Sequence, residues 1–418
     1  MSAALKTFRD FLYATMESCS PHYKDHHDHL LQLSKSSLQP TETCTHPKTF
    51  KAICVDCGQR MDDEYGVAFD YITEGLRFSN DEVSRLKRRN SEYLFSKEKL
   101  QLVLDLDHTL LHAAKLKRLT AEEMCIKNEE DSSEDISNIS LFQLENGYLV
   151  KLRPYVRKFL QEASEMFEMY VYTMGSRTYA KQMGKLLDPE GKYFNSRLIC
   201  RQDLERGMLR KTLNLVLGQE NGIIILDDTE LVWKNHSKNL IVVEKYNYFN
   251  EGKSGSMNPK SYSEKKTDES ETNGVLKNLL KSLRKIHGLF FNNPACRDVR
   301  ILLGKVRSEI LKGCTLFFSS DVDDLCRFWN KAQMLGAECT IMLDSSSVTH
   351  VVSSNVGSNN SCRWAEEKKK FLVHPQWINA AYYYWCRQPE EEYFPVLSIE
   401  IRGLLLQAEE LFSVRAIF

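Results

Sequence analysis

The sequence has no run of about 18 apolar residues, so no membrane-spanning helix is expected. Its first twenty residues lack the apolar stretch of a secretory signal, because Lys6, Arg9, Asp10 and Glu17 interrupt it. An excess of one charge is also missing: 56 Lys and Arg stand against 57 Asp and Glu, a formal net charge of −1. Nothing in that balance calls for nucleic acid or a membrane surface, and neither is expected as a direct partner. No internal repeat is visible, which excludes repeat architectures.

A cytosolic or nuclear protein is therefore expected. There its 12 cysteines stay reduced, and close Cys/His spacing reads as metal before disulfide. At 418 residues the chain has length for two or three domains.

Short apolar runs mark buried parallel strands at Leu100–Leu104, Met169–Tyr172 and Ile223–Leu226. Helical patterns lie between them at Tyr155–Phe167, Ser176–Leu187 and Arg210–Leu217. Alternating strand and helix predicts an α/β domain over residues 96–250. The acidic stretch Glu122–Asp135 reads as a solvated loop or flap. Residues 251–274, rich in Ser, Lys, Glu and Asn, read as a linker. A helical segment follows over 275–305, with Leu276, Leu279, Leu280, Leu283 and Ile286 on one face. A smaller α/β pattern covers 306–396, and a tail of amphipathic look covers 397–418.

Two carboxylates, Asp105 and Asp107, stand just past the first buried strand. Asp227 and Asp228 end another strand, and Thr173 ends a third. Ligands of open α/β sheets bind at the carboxyl ends of strands. This set suits phosphoryl transfer. A carboxylate can attack phosphorus and split a hydrolysis into two steps. A second carboxylate protonates the leaving alkoxide and later activates water. A hard cation such as Mg²⁺ offsets the repulsion between anionic nucleophile and phosphate. A protein cation must also hold the phosphoryl oxygens, and Lys211 is the candidate.

Asp105-Leu106-Asp107-His108-Thr109-Leu110-Leu111 resembles the first motif of the haloacid dehalogenase superfamily. Leu152-Arg153-Pro154, the stretch Tyr172–Ala180, Leu187-Asp188-Pro189-Glu190-Gly191, Asp227–Trp233 and Tyr246-Asn247-Tyr248-Phe249 narrow the likeness. Together they are similar to the RNA polymerase II C-terminal-domain phosphatases, and look most like those of plants. The resemblance implies a haloacid-dehalogenase-like Rossmannoid parallel sheet. It implies a Mg²⁺-dependent protein serine phosphatase in the nucleus that acts on the polymerase's repeat tail. It makes Asp105 nucleophile and metal ligand, and Asp107 general acid/base with its backbone carbonyl on the metal. Asp227 and Asp228 complete the Mg²⁺ set, and Thr173 and Lys211 contact the phosphoryl group. Thr109, Arg153 and Arg201 stand as substrate-side residues; Arg153 reads equally as a salt bridge positioning Pro154 at a helix start, and Arg201 also as an exposed loop charge. An adaptor, or a small-molecule phosphatase of the same fold, is the alternative.

Residues 306–396 resemble a BRCT domain, with Gly313, Gly336, Thr349-His350 and the core Trp377 in place. Ser319 and Arg363 are candidate phosphopeptide contacts there, for a transcription-factor or phosphoprotein partner. Within residues 1–95, Cys44-x-His46 precedes Cys54-x-x-Cys57-Gly58. These four can close a tetrahedral Zn²⁺ site, or form a β-rich turn of reduced thiols; both readings stay open. Arg85-Leu86-Lys87-Arg88-Arg89 reads equally as a nuclear address or a basic helix face.

Overall fold

The computed structural model describes residues 44–397, except 131–139, 145, 205–206, 208–209, 251–259, 344–345 and 357–359. The chain forms two compact units that divide between Arg300 and Ile301.

The first unit opens with four short strands: β1 (Lys48–Phe50), β2 (Ile53–Cys54), β3 (Val67–Ala68) and β4 (Leu76–Phe78). They form an antiparallel sheet of order β2-β1-β4-β3. Helix α1 (Asn80–Ser96) follows, and the Ser79 hydroxyl caps it by accepting from Glu82 N at 3.2 Å.

Strand β5 (Leu100–Leu104) is buried along its whole length. After it come β6 (Leu111–Lys115), α2 (Ala121–Glu130), β7 (Leu141–Gln143) and β8 (Tyr148–Leu152). Strands β6, β8 and β7 pair antiparallel as a flap. Its Ala114, Leu141 and Leu149 pack on Tyr246, Tyr248 and Phe249. The acidic stretch is thus not all loop: residues 122–130 lie in α2, and 131–135 fall outside the described residues. Its start is a capping box. Thr120 Oγ1 accepts from Glu123 N, and Glu123 accepts from Thr120 N.

The central sheet adds β9 (Phe167–Tyr172), β10 (Leu198–Ile199), β11 (Ile223–Asp227) and β12 (Leu240–Val242). Its order is β10-β9-β5-β11-β12, with every pair parallel. Helix α3 (Val156–Met166) connects β8 to β9. Helix α4 (Arg177–Leu187) buries Ala180, Met183, Gly184 and Leu187, the spacing of one helix face. A Cβ on Gly184 would sit 3.1 Å from Leu198, so the helix packs closely there. The helix expected at Arg210–Leu217 is only a 3₁₀ turn at Leu213–Leu215. Leu213, Leu215 and Val216 are buried there, and Thr212 Oγ1 caps the turn by accepting from Asn214 N at 3.2 Å.

Over its described residues, 260–274, the expected linker is packed into the unit. Ser261, Ser263 and Glu269 are buried. Ser263 donates to the Glu123 carboxylate at 2.7 Å, and Glu269 pairs with Arg153. Most of the stretch is still exposed, and its three buried polar residues are hydrogen-bonded. Helix α5 (Val275–Asn292) begins on Glu269, whose carboxylate accepts from Val275 N. Helix α6 (Val299–Arg307) follows.

The second unit holds β13 (Thr315–Phe318), α7 (Leu325–Met334), β14 (Glu338–Thr340), β15 (His350–Val352), β16 (Asn355–Val356), α8 (Asn360–Glu367), β17 (Phe371–Val373), α9 (Gln376–Tyr384) and β18 (Val396–Leu397). Its main sheet runs β14-β13-β15-β17, all parallel, as the smaller α/β pattern predicts. Trp377 is fully buried and donates to Gln388 O at 2.9 Å. Gly336, at φ +91°, ends α7; a Cβ there would lie 1.8 Å from Ser308 O. The tail over 398–418 lies outside the described residues.

Candidate active site

Parallel pairing brings the ends of β5, β9 and β11 together, because the three strands are neighbours in the sheet. Asp105 follows β5, Thr173 follows β9, and Asp227 ends β11. Lys211 reaches this crevice from the segment before the 3₁₀ turn. Its ammonium donates to Asp105 Oδ1 and Asp227 Oδ2, both at 2.6 Å. All three side chains are buried.

The Asp227 carboxylate is held on every side. Trp233 Nε1 also donates to Oδ2 at 2.8 Å, and Thr229 N donates to Oδ1 at 2.8 Å. Asp227 is therefore a fixed anchor for Lys211. Asp228 is more open; Thr229 Oγ1 donates to it and Lys245 Nζ lies 3.2 Å away. Carboxylate oxygens of Asp105, Asp227 and Asp228 all lie within 4.8 Å of one another. Three hard oxygen donors at that spacing fit Mg²⁺. The Asp107 carboxylate is not in that set; its Oδ1 accepts from the Tyr179 hydroxyl at 2.5 Å.

Burial raises the Asp105 carboxyl well above its ordinary range, against the pull of Lys211. Burial also raises Asp107, opposed by the Tyr179 hydrogen bond. Burial alone would lower Lys211, but Asp105 and Asp227 outweigh it and keep the ammonium charged.

Thr173 is buried, and its Oγ1 accepts from Gly175 N at 3.0 Å. Thr109 does not face a substrate. It is fully buried, and its hydroxyl accepts from Asp228 N at 3.1 Å, which ties the first motif to the end of β11. Arg153 is not a substrate-side cation either. It is 1% exposed, pairs with Glu269 at 2.8 Å and donates to Thr109 O and Glu244 O. Arg201 is exposed and borders the site through its N–H to Gly175 O at 3.2 Å.

Tyr179, Trp233 and Thr229 are site residues the sequence reading did not pick out. Tyr179 sits in the first turn of α4, and a Cβ on Gly175 would come within 2.5 Å of its ring. A glycine four residues before an aromatic in the Thr173–Tyr179 stretch was the available signal.

The basic run at 85–89 lies in α1. Leu86 is buried, Arg85 pairs with Glu82, and Lys87 donates to Leu213 O at 2.8 Å. In the second unit Ser319 is buried and accepts from the Ser361 hydroxyl at 3.2 Å. Arg363 is exposed, two residues beyond Ser361 in α8. Cys44, His46, Cys54 and Cys57 do converge.

Comparison with known proteins agrees with this geometry. Residues 100–287 match the family model described as NLI interacting factor-like phosphatase. The chain is 46% identical over 382 residues to RNA polymerase II C-terminal domain phosphatase-like 4 of Arabidopsis thaliana, covering 88% of this chain and 84% of that protein. It is 37% identical to phosphatase-like 3 of the same plant, across 76% of this chain but only 27% of that longer relative. Among solved structures, a variant of the fission yeast RNA polymerase II CTD phosphatase Fcp1 bound to beryllium fluoride matches with a TM-score of 0.54. That match has 23% identity and covers 74% of this chain and all of that one, which shows a shared fold.

Proposed function

The chain belongs to the RNA polymerase II C-terminal-domain phosphatase family, and from that premise we propose that it is a Mg²⁺-dependent protein serine phosphatase acting through an aspartyl-phosphate on Asp105. Its proposed substrate is phosphoserine in the repeat tail of RNA polymerase II, which makes the nucleus its place of action. The observation that carries this reading is the buried Asp105–Lys211–Asp227 bridge at the strand ends, with Asp107 and Asp228 beside it.

The Asp105 carboxylate attacks phosphorus, and the bond from phosphorus to the serine oxygen breaks. Asp107, kept protonatable by burial, delivers a proton to the leaving alkoxide. Asp107 then takes a proton from the water that attacks the acyl-phosphate, and inorganic phosphate leaves. Tyr179 holds the Asp107 carboxyl in place through both steps. Lys211 has three N–H donors and uses two on Asp105 and Asp227, which leaves one for a phosphoryl oxygen. Asp105, Asp228 and the Asp107 carbonyl would hold Mg²⁺, with Asp227 behind them. When bound, the ion neutralises charge between the nucleophile and the phosphate.

The intact set disfavours a pure adaptor. Heptad peptides phosphorylated at each serine in turn, compared with a small aryl phosphate, test the substrate. Phosphoserine peptides should be hydrolysed with Mg²⁺, lose turnover in chelator, and regain it when Mg²⁺ is restored. Turnover of the aryl phosphate alone would favour a small-molecule phosphatase.

A further inference from the structure

The active site does not use the four donors at the start of the described chain. Cys44 and His46 precede β1, Cys54 ends β2, and Cys57 lies in the turn after it. Their ligating atoms all fall within 4.8 Å of one another. The Cys44 and Cys54 sulfurs are 3.8 Å apart, and the Cys57 sulfur is 3.3 Å from His46 Nδ1. A tetrahedral Zn²⁺ with bonds of about 2.3 Å to sulfur and about 2.0 Å to nitrogen needs roughly 3.8 Å between sulfurs and roughly 3.5 Å from sulfur to nitrogen. Both observed separations lie close to those edges. The sulfur separation is far too long for a disulfide, whose bond is about 2.05 Å.

The backbone is folded around this point. Gly58 N donates to Cys54 O at 2.9 Å with Gly58 at φ +79°, closing the Cys-x-x-Cys-Gly turn. His46, Lys51 and Ala52 all hold positive φ, at 49°, 45° and 61°. Each such non-glycine residue is strained and persists only where its surroundings over-determine it. Strands of two and three residues do not supply that by themselves.

We propose that Cys44, His46, Cys54 and Cys57 bind one structural Zn²⁺, and that this knuckle braces the segment carrying Lys211. Three thiolates and an imidazole form a soft, four-coordinate set with no open position, which marks a structural rather than a catalytic ion. The brace runs through named contacts. Pro47, next to His46, accepts at its carbonyl from Ser79 N at 2.9 Å, and Ser79 caps α1. From α1, Lys87 donates to Leu213 O at 2.8 Å and Asn90 to Leu217 O at 2.7 Å. From the loop after β3, Tyr71 donates to Leu215 O at 2.9 Å. Three carbonyls just past Lys211 are thus held from the zinc-bearing sheet and its helix.

The test uses the untagged full chain. Elemental analysis should give about one zinc per chain. Replacement of zinc by cobalt should give the visible bands of a tetrahedral thiolate site. Cys54→Ser and Cys57→Ser should lose the zinc, while Cys125→Ser, outside the cluster, should keep it. Zinc removal by chelator, with Mg²⁺ then restored, should speed amide hydrogen exchange at residues 213–217. Because the wild-type stoichiometry and cobalt spectrum need no variant, a Cys54→Ser chain that fails to fold leaves the test intact. Folded wild-type protein that takes up neither zinc nor cobalt would overturn the site, as would zinc retained in both Cys→Ser variants. Unchanged exchange at 213–217 after zinc loss would overturn the brace.

Discussion

Replacing Arg153 by Met separates two roles for a cation beside the site. The guanidinium is buried against Glu269, with side-chain exposures of 1% and 3%. It also satisfies the carbonyls of Thr109 and Glu244. Removing one partner of such a pair leaves a buried charge and costs roughly 3–5 kcal/mol. In a unit of this size, each kcal/mol shifts Tm by about 2–4 °C, so a loss of about 10 °C is expected. The double variant Arg153→Met/Glu269→Gln should regain at least about half of that, because the uncompensated charge is gone while the Val275 N–H keeps an acceptor. Thermal melts and phosphoserine-peptide kinetics on the same samples provide the assay. KM should stay within about three-fold, since uniform substrate binding is not what the residue supplies. An unchanged Tm with KM raised about ten-fold would refute this and return Arg153 to the substrate.

Tyr179→Phe should lower kcat and move the alkaline limb of kcat/KM upward by about 1–2 pH units, because a hydrogen bond stabilising the Asp107 carboxylate is worth roughly 1.5–3 kcal/mol. An unmoved pH profile would contradict it. Lys211→Met should cost about 10²–10³ in kcat, with steady-state hydrolysis as the check. In the second unit, His350 is buried between Phe371 and Trp377 and its pKa is lowered to about 4 by that burial. Its folded pKa lies below the unfolded value, so its contribution is full above about pH 6.5 and fades as pH falls toward 4, about 3 kcal/mol in all. Denaturant melts at stepped pH should show this slope, and His350→Phe should flatten it.

The catalytic strands were legible because strands buried on both faces read as apolar runs. Asp105, Asp107, Thr173 and Asp227 follow or end such runs, so their convergence could be read as well. A salt bridge for Arg153 was legible but its partner was not, since Glu269 lies 116 residues away in a stretch whose composition suggests solvent. Ser261, Ser263 and Glu269 are polar because they satisfy buried partners, and composition cannot express that. The start of α2 was legible in Thr120-x-x-Glu123, but the run of acids that follows draws the eye to a loop. The Ser361 partner of Ser319 was not legible, because a hydroxyl after a strand reads the same whether it meets solvent or another side chain.

The central claim is that Asp105 is the nucleophile. Its most direct measurement is Mg²⁺-dependent hydrolysis of a phosphoserine heptad peptide by wild-type protein and by Asp105→Asn, with thermal melts of both. Turnover should fall by at least about 10⁴ while the cooperative melt is kept, because an amide cannot form the acyl-phosphate. Activity of Asp105→Asn within about ten-fold of wild type, in a folded protein, would contradict the account.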